Sequence, residues 1–244
     1  MPARIFYAAL ILILTGCMLK EKSKTPVNLP FDQPPQWARE AIWYQIFVER
    51  FRNGNPVNDP SAETCDNALI DPLPSDWAVT PWGHNWYKQE DWAKPTGLDF
   101  YRTIQMRRYG GDLAGVEEKI PYLKELGINA VYFNPINDAP SLHKYDARHY
   151  HHIDVTFGDD IKGDLAIMAT ENHSDPTTWQ WTSADKKFIA LVKKLHSEGI
   201  KVVLDFSWNH TGNNFWAFKD VEKNLEKSAY KDWYHTKFLQ DPST

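Results

Sequence analysis

A chain of 244 residues with 42% hydrophobic and 14% aromatic side chains has ample apolar material for a core, which argues against a disordered protein. Its formal charge of -5 argues against nucleic acid or an anionic membrane surface as a charge-recognised partner. The 11 Trp and 11 Tyr suit either packing or flat faces for sugar rings, because an exposed Trp or Tyr joins an apolar plane to a polar handle.

Arg4 followed by the apolar run Ile5 to Leu14 is too short to span a bilayer as a mature helix, and it fits the charged and hydrophobic regions of an export signal. The run ends in Leu14-Thr15-Gly16-Cys17, which resembles a bacterial lipoprotein signal. That resemblance implies cleavage before Cys17, lipidation of Cys17 and a membrane-anchored envelope protein. Cys65 is then the one remaining thiol, so no internal disulfide is expected. Lys20 to Pro35 is charged and proline-rich and reads as an extended tether.

Ala41 to Phe47, AIWYQIF, has the β-formers and the uninterrupted apolarity of a strand buried on both faces. A polar cluster from Glu49 to Asn55 follows, then a long stretch to Tyr109 containing Trp77, Trp82, Trp86 and Trp92. Gly115 to Leu126 places Val116, Ile120, Leu123 and Leu126 at near-helical spacing, with Pro121 as an irregularity, before Gly127 and the strand Ile128 to Phe133. The plan then repeats. Phe188, Leu191, Val192 and Leu195 share a helical face, Ser183 is the expected cap, Gly199 the stop, and Ile200 to Phe206 the next buried strand. Two such units imply a parallel sheet, either an α/β barrel or a doubly wound sheet. No glycine-rich phosphate loop follows any of the three strands, which weakens the dinucleotide-binding version.

In order along the chain stand AIWYQIFVERFRNGNPVND, YGGDLAGVEEKIPYLKELGINAVYFNPI, HKYDARHYHHID and VVLDFSWNH. With these motifs the chain resembles the alpha-amylase superfamily of glycoside hydrolases, on its neopullulanase and cyclomaltodextrinase-like branch. The resemblance implies an α/β fold, a (β/α)8 TIM-barrel catalytic domain cut off after the third strand, within an inserted domain B. The expected layout is a signal over 1–16, a lipidated tether over 17–36, barrel over 37–212 and the start of domain B over 213–244. The implied activity is retaining cleavage of α-glucosidic bonds in starch-derived oligosaccharides, cyclodextrins or pullulan, by one carboxylate that attacks and one acid that protonates. The family takes its nucleophilic Asp, its acid Glu and a further Asp from the fourth, fifth and seventh strands. The expectation is therefore that no catalytic carboxylate lies in these 244 residues and that they are inactive alone.

The residues that the resemblance makes substrate-binding are Tyr145 and Asp146, which stack on and hydrogen-bond the sugar, and the third-strand pair Asp205 and His210. Asn53, Asn55, Asn58, Asp59, Gly110 and Asp112 offer the oxygen-rich loop that suits Ca²⁺, at spacings which relatives use for calcium. Against that stand a plain turn for the asparagines and a helix cap for Asp112. His149, His151 and His152 invite a transition-metal reading, but on an extended backbone His152 points away and only a pair converges. The stretch from Gly158 to Trp181 is an insertion relative to compact relatives, with no role assigned. Two other readings compete with the hydrolase. One is a surface lipoprotein that binds α-glucan through the Trp77 to Trp92 loop without cleaving it, or an inactive gene remnant. The other is a zinc-dependent hydrolase.

Overall fold

The computed structural model describes residues 34–65, 70 and 72–238. The expected signal and Cys17 lie outside them. The chain divides into a short unit, Met1–Glu40, and a main unit, Ala41–Thr244. Within the short unit the described residues contain one helical turn, α1, Gln36–Arg39.

The main unit holds three parallel strands in the order β1 (Trp43–Ile46), β2 (Ala130–Phe133), β3 (Lys201–Leu204). Trp43 pairs with Ala130 and Ala130 with Lys201, so the three strands run in step and all end on one edge. Between β1 and β2 lie α2 (Phe100–Thr103), α3 (Leu113–Glu118) and α4 (Ile120–Glu125). Between β2 and β3 lie α5 (Ile161–Met168) and α6 (Ser183–Ser197), and α7 (Trp216–Asn224) follows β3.

The expected helix over 115–126 is two helices that meet at Lys119. Pro121 has no N–H to offer the carbonyl one turn back, so the ladder breaks there. Val116, Ile120 and Leu123 are buried as their spacing predicts, whereas Leu126, at the C-cap of α4, is 49% exposed. The cap of α6 is Thr182 rather than Ser183: its hydroxyl accepts from the Asp185 N–H while the Asp185 carboxylate accepts from the Thr182 N–H. The Ser183 hydroxyl instead donates to Asp164 of α5, which holds the 158–181 insertion against the start of α6.

Both helix-to-strand turns are built alike. Gly127 donates to the Lys124 carbonyl and Ile128 to that of Leu123; Gly199 donates to His196 and Ile200 to Leu195. At φ of 75° and 77° these glycines sit where a Cβ is disfavoured, and each turn lays its isoleucine against the leucine of the last helical turn. The resulting core joins Ile46, Leu123, Val131, Phe133, Leu191, Leu195 and Ile200. Of the strands β2 is the most buried, with Ala130, Val131 and Phe133 buried and Tyr132 half-buried. Trp43 in β1 is 45% exposed and Val202 to Leu204 are half-buried, so the expectation of coverage on both faces holds for the middle strand alone. The outer two have a strand on one side only among the described residues.

Candidate functional site

Because the strands are parallel and in register, the loops leaving β2 and β3 emerge on the same edge. Asn134 and Asp205 continue the ladder one residue past it, donating to the carbonyls of Ile46 and Phe133. The loop after β2 runs through Tyr145 and Asp146, and the loop after β3 runs through Asp205 and His210. Two contacts fasten them. The Tyr145 phenol donates to Asp205 Oδ2 at 2.5 Å, and the Ser207 hydroxyl donates to the Tyr145 carbonyl at 2.8 Å. A third feature is steric: a Cβ on Gly212 would stand 2.3 Å from the Asp146 carbonyl oxygen, so only glycine permits this approach.

The Asp205 carboxylate, accepting from Tyr145, holds that phenol's pKa up at about 12, with burial adding to the shift. Tyr145 therefore stays a neutral donor throughout the physiological range. Asp146 accepts from Ser141, whose hydroxyl also meets His143 Nδ1 at 3.0 Å, and burial pushes the His143 pKa down. His210 is exposed, with Nδ1 3.1 Å from Asn209 Oδ1. Its backbone is held from below: the Tyr150 phenol bridges the carbonyls of Ser207 and His210 at 2.7 and 2.8 Å. All four expected sugar-facing residues thus belong to two loops locked to each other. Trp208, 72% exposed and stacked on Phe206, lines with His210, Trp233 and Tyr234 a cleft of about 320 Å³. Tyr150, Ser207 and Gly212 were not assigned from sequence, because each acts on a backbone carbonyl that no motif displays.

Under this surface the β2 loop is fixed by buried charge. Arg148 grips Asp138 with two bonds of 2.9 Å, and Lys144 Nζ lies 2.5 Å from Asp154 Oδ2 with both side chains buried. The Trp-rich stretch divides. Trp77 and Trp92 pack into a second core with Cys65, Leu73 and Met106, whereas Trp82 and Trp86 are half-exposed and flank Tyr109, with Arg50 over the Tyr109 ring at 4.7 Å.

The oxygen-rich loop also divides. Asp112 is fully buried and caps α3, accepting from the N–H groups of Gly54, Asn55 and Gly115; the Asn55 side chain caps the turn at Val57. What remains open is the Oδ1 of Asn53 and of Asn58, both buried without a hydrogen-bond partner. Asp59, which accepts from Asn53 Nδ2 at 2.6 Å, has its pKa raised, first by burial and then by the charge of Asp112. A Cβ on Gly110 would come within 2.3 Å of Asp59 Oδ1, so glycine keeps this pocket open. Two unsatisfied amide oxygens on the loop that carries the Asp59 carboxylate are a donor set that fits a hard cation.

The histidines converge more than an extended backbone implies. His149 and His151 are joined by His173 from the insertion, while His152 turns aside to Asp185 and Glu171 at 2.8 and 2.7 Å. Burial, and then the neighbouring imidazoles, press His149 down to about 3.

The family description "Alpha amylase, catalytic domain" matches residues 45–175 and 182–243. Neopullulanase 2 of Thermoactinomyces vulgaris is 39% identical over 207 residues, which are 85% of this chain and 25% of that protein. A cyclomaltodextrinase of a Bacillus species is likewise 39% identical, over 85% of this chain and 27% of its own length. Among solved structures, the cyclic α-maltosyl-(1→6)-maltose hydrolase of Arthrobacter globiformis in complex with maltose superposes with a TM-score of 0.58 at 29% identity, over 84% of this chain and 34% of that one. The chain spans about a quarter of the length of the curated relatives it matches.

Proposed function

The chain belongs to the alpha-amylase family of glycoside hydrolases, and on that premise we propose that it is the opening part of an α-glucan hydrolase whose three strands begin a (β/α)8 barrel. The observation that carries the reading is the Tyr145–Asp205 hydrogen bond, which locks the loops after β2 and β3 into one surface at the strand ends. There Tyr145 offers its ring face to a sugar and donates its hydroxyl proton to Asp205. Asp146 and His210 are the hydrogen-bonding partners of the same sugar, and Asp205 keeps Tyr145 oriented. These residues shape and position the substrate. The reaction is retaining, with an oxocarbenium-like transition state, and its substrates are starch-derived oligosaccharides, cyclodextrins or pullulan.

Asn53, Asn58 and Asp59 would hold Ca²⁺, which supplies no bond-making chemistry and ties the loop after β1 to the segment around Gly110. Cys17 carries a lipid anchor in this reading and the protein is exported to the bacterial envelope. Among the described residues no helix is long and apolar enough to cross a membrane.

The test uses the native protein recovered from its own cells. Expected are cleavage of maltooligosaccharide with the α-anomer as first product by NMR, and loss of most activity in Asp205→Asn and His210→Ala. Absence of hydrolysis, or a β-anomer first product, overturns the reading. The half-exposed Trp82 and Trp86 favour a second reading, glycan binding without cleavage. Titration with maltooligosaccharide separates the two: affinity without turnover that is lost in Trp82→Ala supports it, and no affinity removes it.

A further inference from the structure

His149, His151 and His173 come from two separate segments, the loop after β2 and the 158–181 insertion, yet one ligand atom from each lies within 4.8 Å of the others. The same three rings each carry an unusual nitrogen. His149 Nδ1, His151 Nε2 and His173 Nδ1 are all buried, and none has a hydrogen-bond partner. A buried imidazole nitrogen left without a hydrogen bond is costly, and three such atoms in one histidine cluster, with the Glu171 carboxylate 3.4 Å from that of His151 as the nearest charge given, are not explained by packing alone.

We propose that His149, His151 and His173 form a binding site for a divalent transition-metal ion of the zinc type. Three imidazoles are borderline-soft ligands, which suits Zn²⁺, Ni²⁺ or Cu²⁺ and does not suit Ca²⁺ or Mg²⁺. Nitrogens at about 2.0–2.1 Å around a tetrahedral ion stand about 3.3 Å apart, so the cluster needs only a modest contraction. The fourth position falls to Glu171 or to water: Glu171 Oε2 lies 3.4 Å from His151 Nε2 and is held in place by His152 Nε2 at 2.7 Å.

The surroundings are those of a supported ligand set. Trp179 stacks flat on His151, with ring centroids 4.0 Å apart and planes 9° from parallel, and the His149 and His173 rings are 4.3 Å apart. The ion would pin the insertion to the loop that carries Tyr145 and Asp146. Its role is structural, and the site stands whether or not the α-glucan reading holds.

The experiment is to strip the whole chain of metal, add Zn²⁺ alone and read stoichiometry by calorimetry, then repeat with Co²⁺ and read the visible d–d absorption. Expected are one Zn²⁺ per chain, a rise in melting temperature on adding it, and Co²⁺ bands of four-coordinate intensity. His173→Ala and His149→Ala should each abolish the stoichiometric ion and the bands, and His196→Ala, on the exposed side of α6, should leave both intact. Neither ligand substitution removes a hydrogen bond seen here, and His173→Asn serves as a second variant should His173→Ala not fold. Substoichiometric zinc in the unaltered chain, or binding that survives in the His149→Ala/His173→Ala double variant, overturns the proposal.

Discussion

Replacing Lys144 by Met removes one charge from a buried pair together with the hydrogen bond that ammonium donates to a carbonyl, and leaves the rest in place, because Met keeps the unbranched stem and inherits the same left-handed backbone at φ 62°. Lys144 Nζ lies 2.5 Å from Asp154 Oδ2, donates to the Ala139 carbonyl at 3.2 Å and sits 5.3 Å from the centre of the Phe157 ring. Breaking such a pair from one side costs about 3–5 kcal/mol, since the partner charge is left buried. Asp154 would keep donors from Thr156 and Ala139, which places the cost near the lower end, about 3 kcal/mol. For a chain of this size that corresponds to a fall in Tm of about 6–12 °C. The pH dependence gives the sign. Burial raises the Asp154 pKa, but the charge and hydrogen bond of Lys144, the Thr156 hydroxyl and the charge of Arg148 together outweigh it, and the net value lies below that of an ordinary Asp. Its contribution in the parent is therefore present above the unfolded carboxyl pKa of about 4 and is lost as pH falls through the folded value. In Lys144→Met the raising effect of burial is opposed only by Thr156 and Arg148, so the buried carboxylate is less favoured than in the parent and the gap between parent and variant closes as pH falls. Thermal melts of both proteins between about pH 7 and pH 4 measure this. A gap under about 1 kcal/mol, or one that does not change with pH, refutes the argument that a buried ion pair fixes this loop.

Gly199→Ala meets nothing within 4 Å and should cost about 1 kcal/mol of stability from its φ of 77° alone, whereas Gly212→Ala meets the Asp146 carbonyl and should also weaken sugar binding. Equal loss of sugar affinity in both variants would contradict the division. The Tyr145 phenol should ionise at about 12, read as the difference in ultraviolet titration between the parent and Tyr145→Phe, and Asp205→Asn should bring it down. Since the folded value is raised, the stability it brings is complete below the ordinary phenol pKa and disappears as pH rises through about 12. Ca²⁺ added to the metal-stripped chain should raise Tm, and Asp59→Asn should remove that response; superimposable melts with and without Ca²⁺ would count against the Asn53, Asn58 and Asp59 site.

The repeated helix, glycine, isoleucine, strand unit was legible because each of its parts is local. An i, i+3, i+4 stripe, a glycine at positive φ and an apolar run depend on neighbours a few residues away, and the structure returns both Schellman turns at Gly127 and Gly199. Local rules also misplaced two details, the break at Lys119 and the cap at Thr182, where Pro121 and the Thr182–Asp185 pair outweighed the residues that looked stronger. The oxygen-rich loop was read as one set, and the fold separated it, giving Asp112 and Asn55 to backbone donors and leaving the oxygens of Asn53 and Asn58 without partners.

By itself the sequence determined the α/β class, the order of the three strands' segments and the residues offered at their ends, because these follow from pattern and spacing along the chain. Only the tertiary structure decided which loops meet. Tyr145 lies 60 positions before Asp205 and is bonded to it, Gly212 admits the Asp146 carbonyl, and His173 completes a cluster begun by His149. Each is a contact between segments far apart in the chain, made where in-register parallel strands bring their ends to one edge, and no local periodicity encodes it.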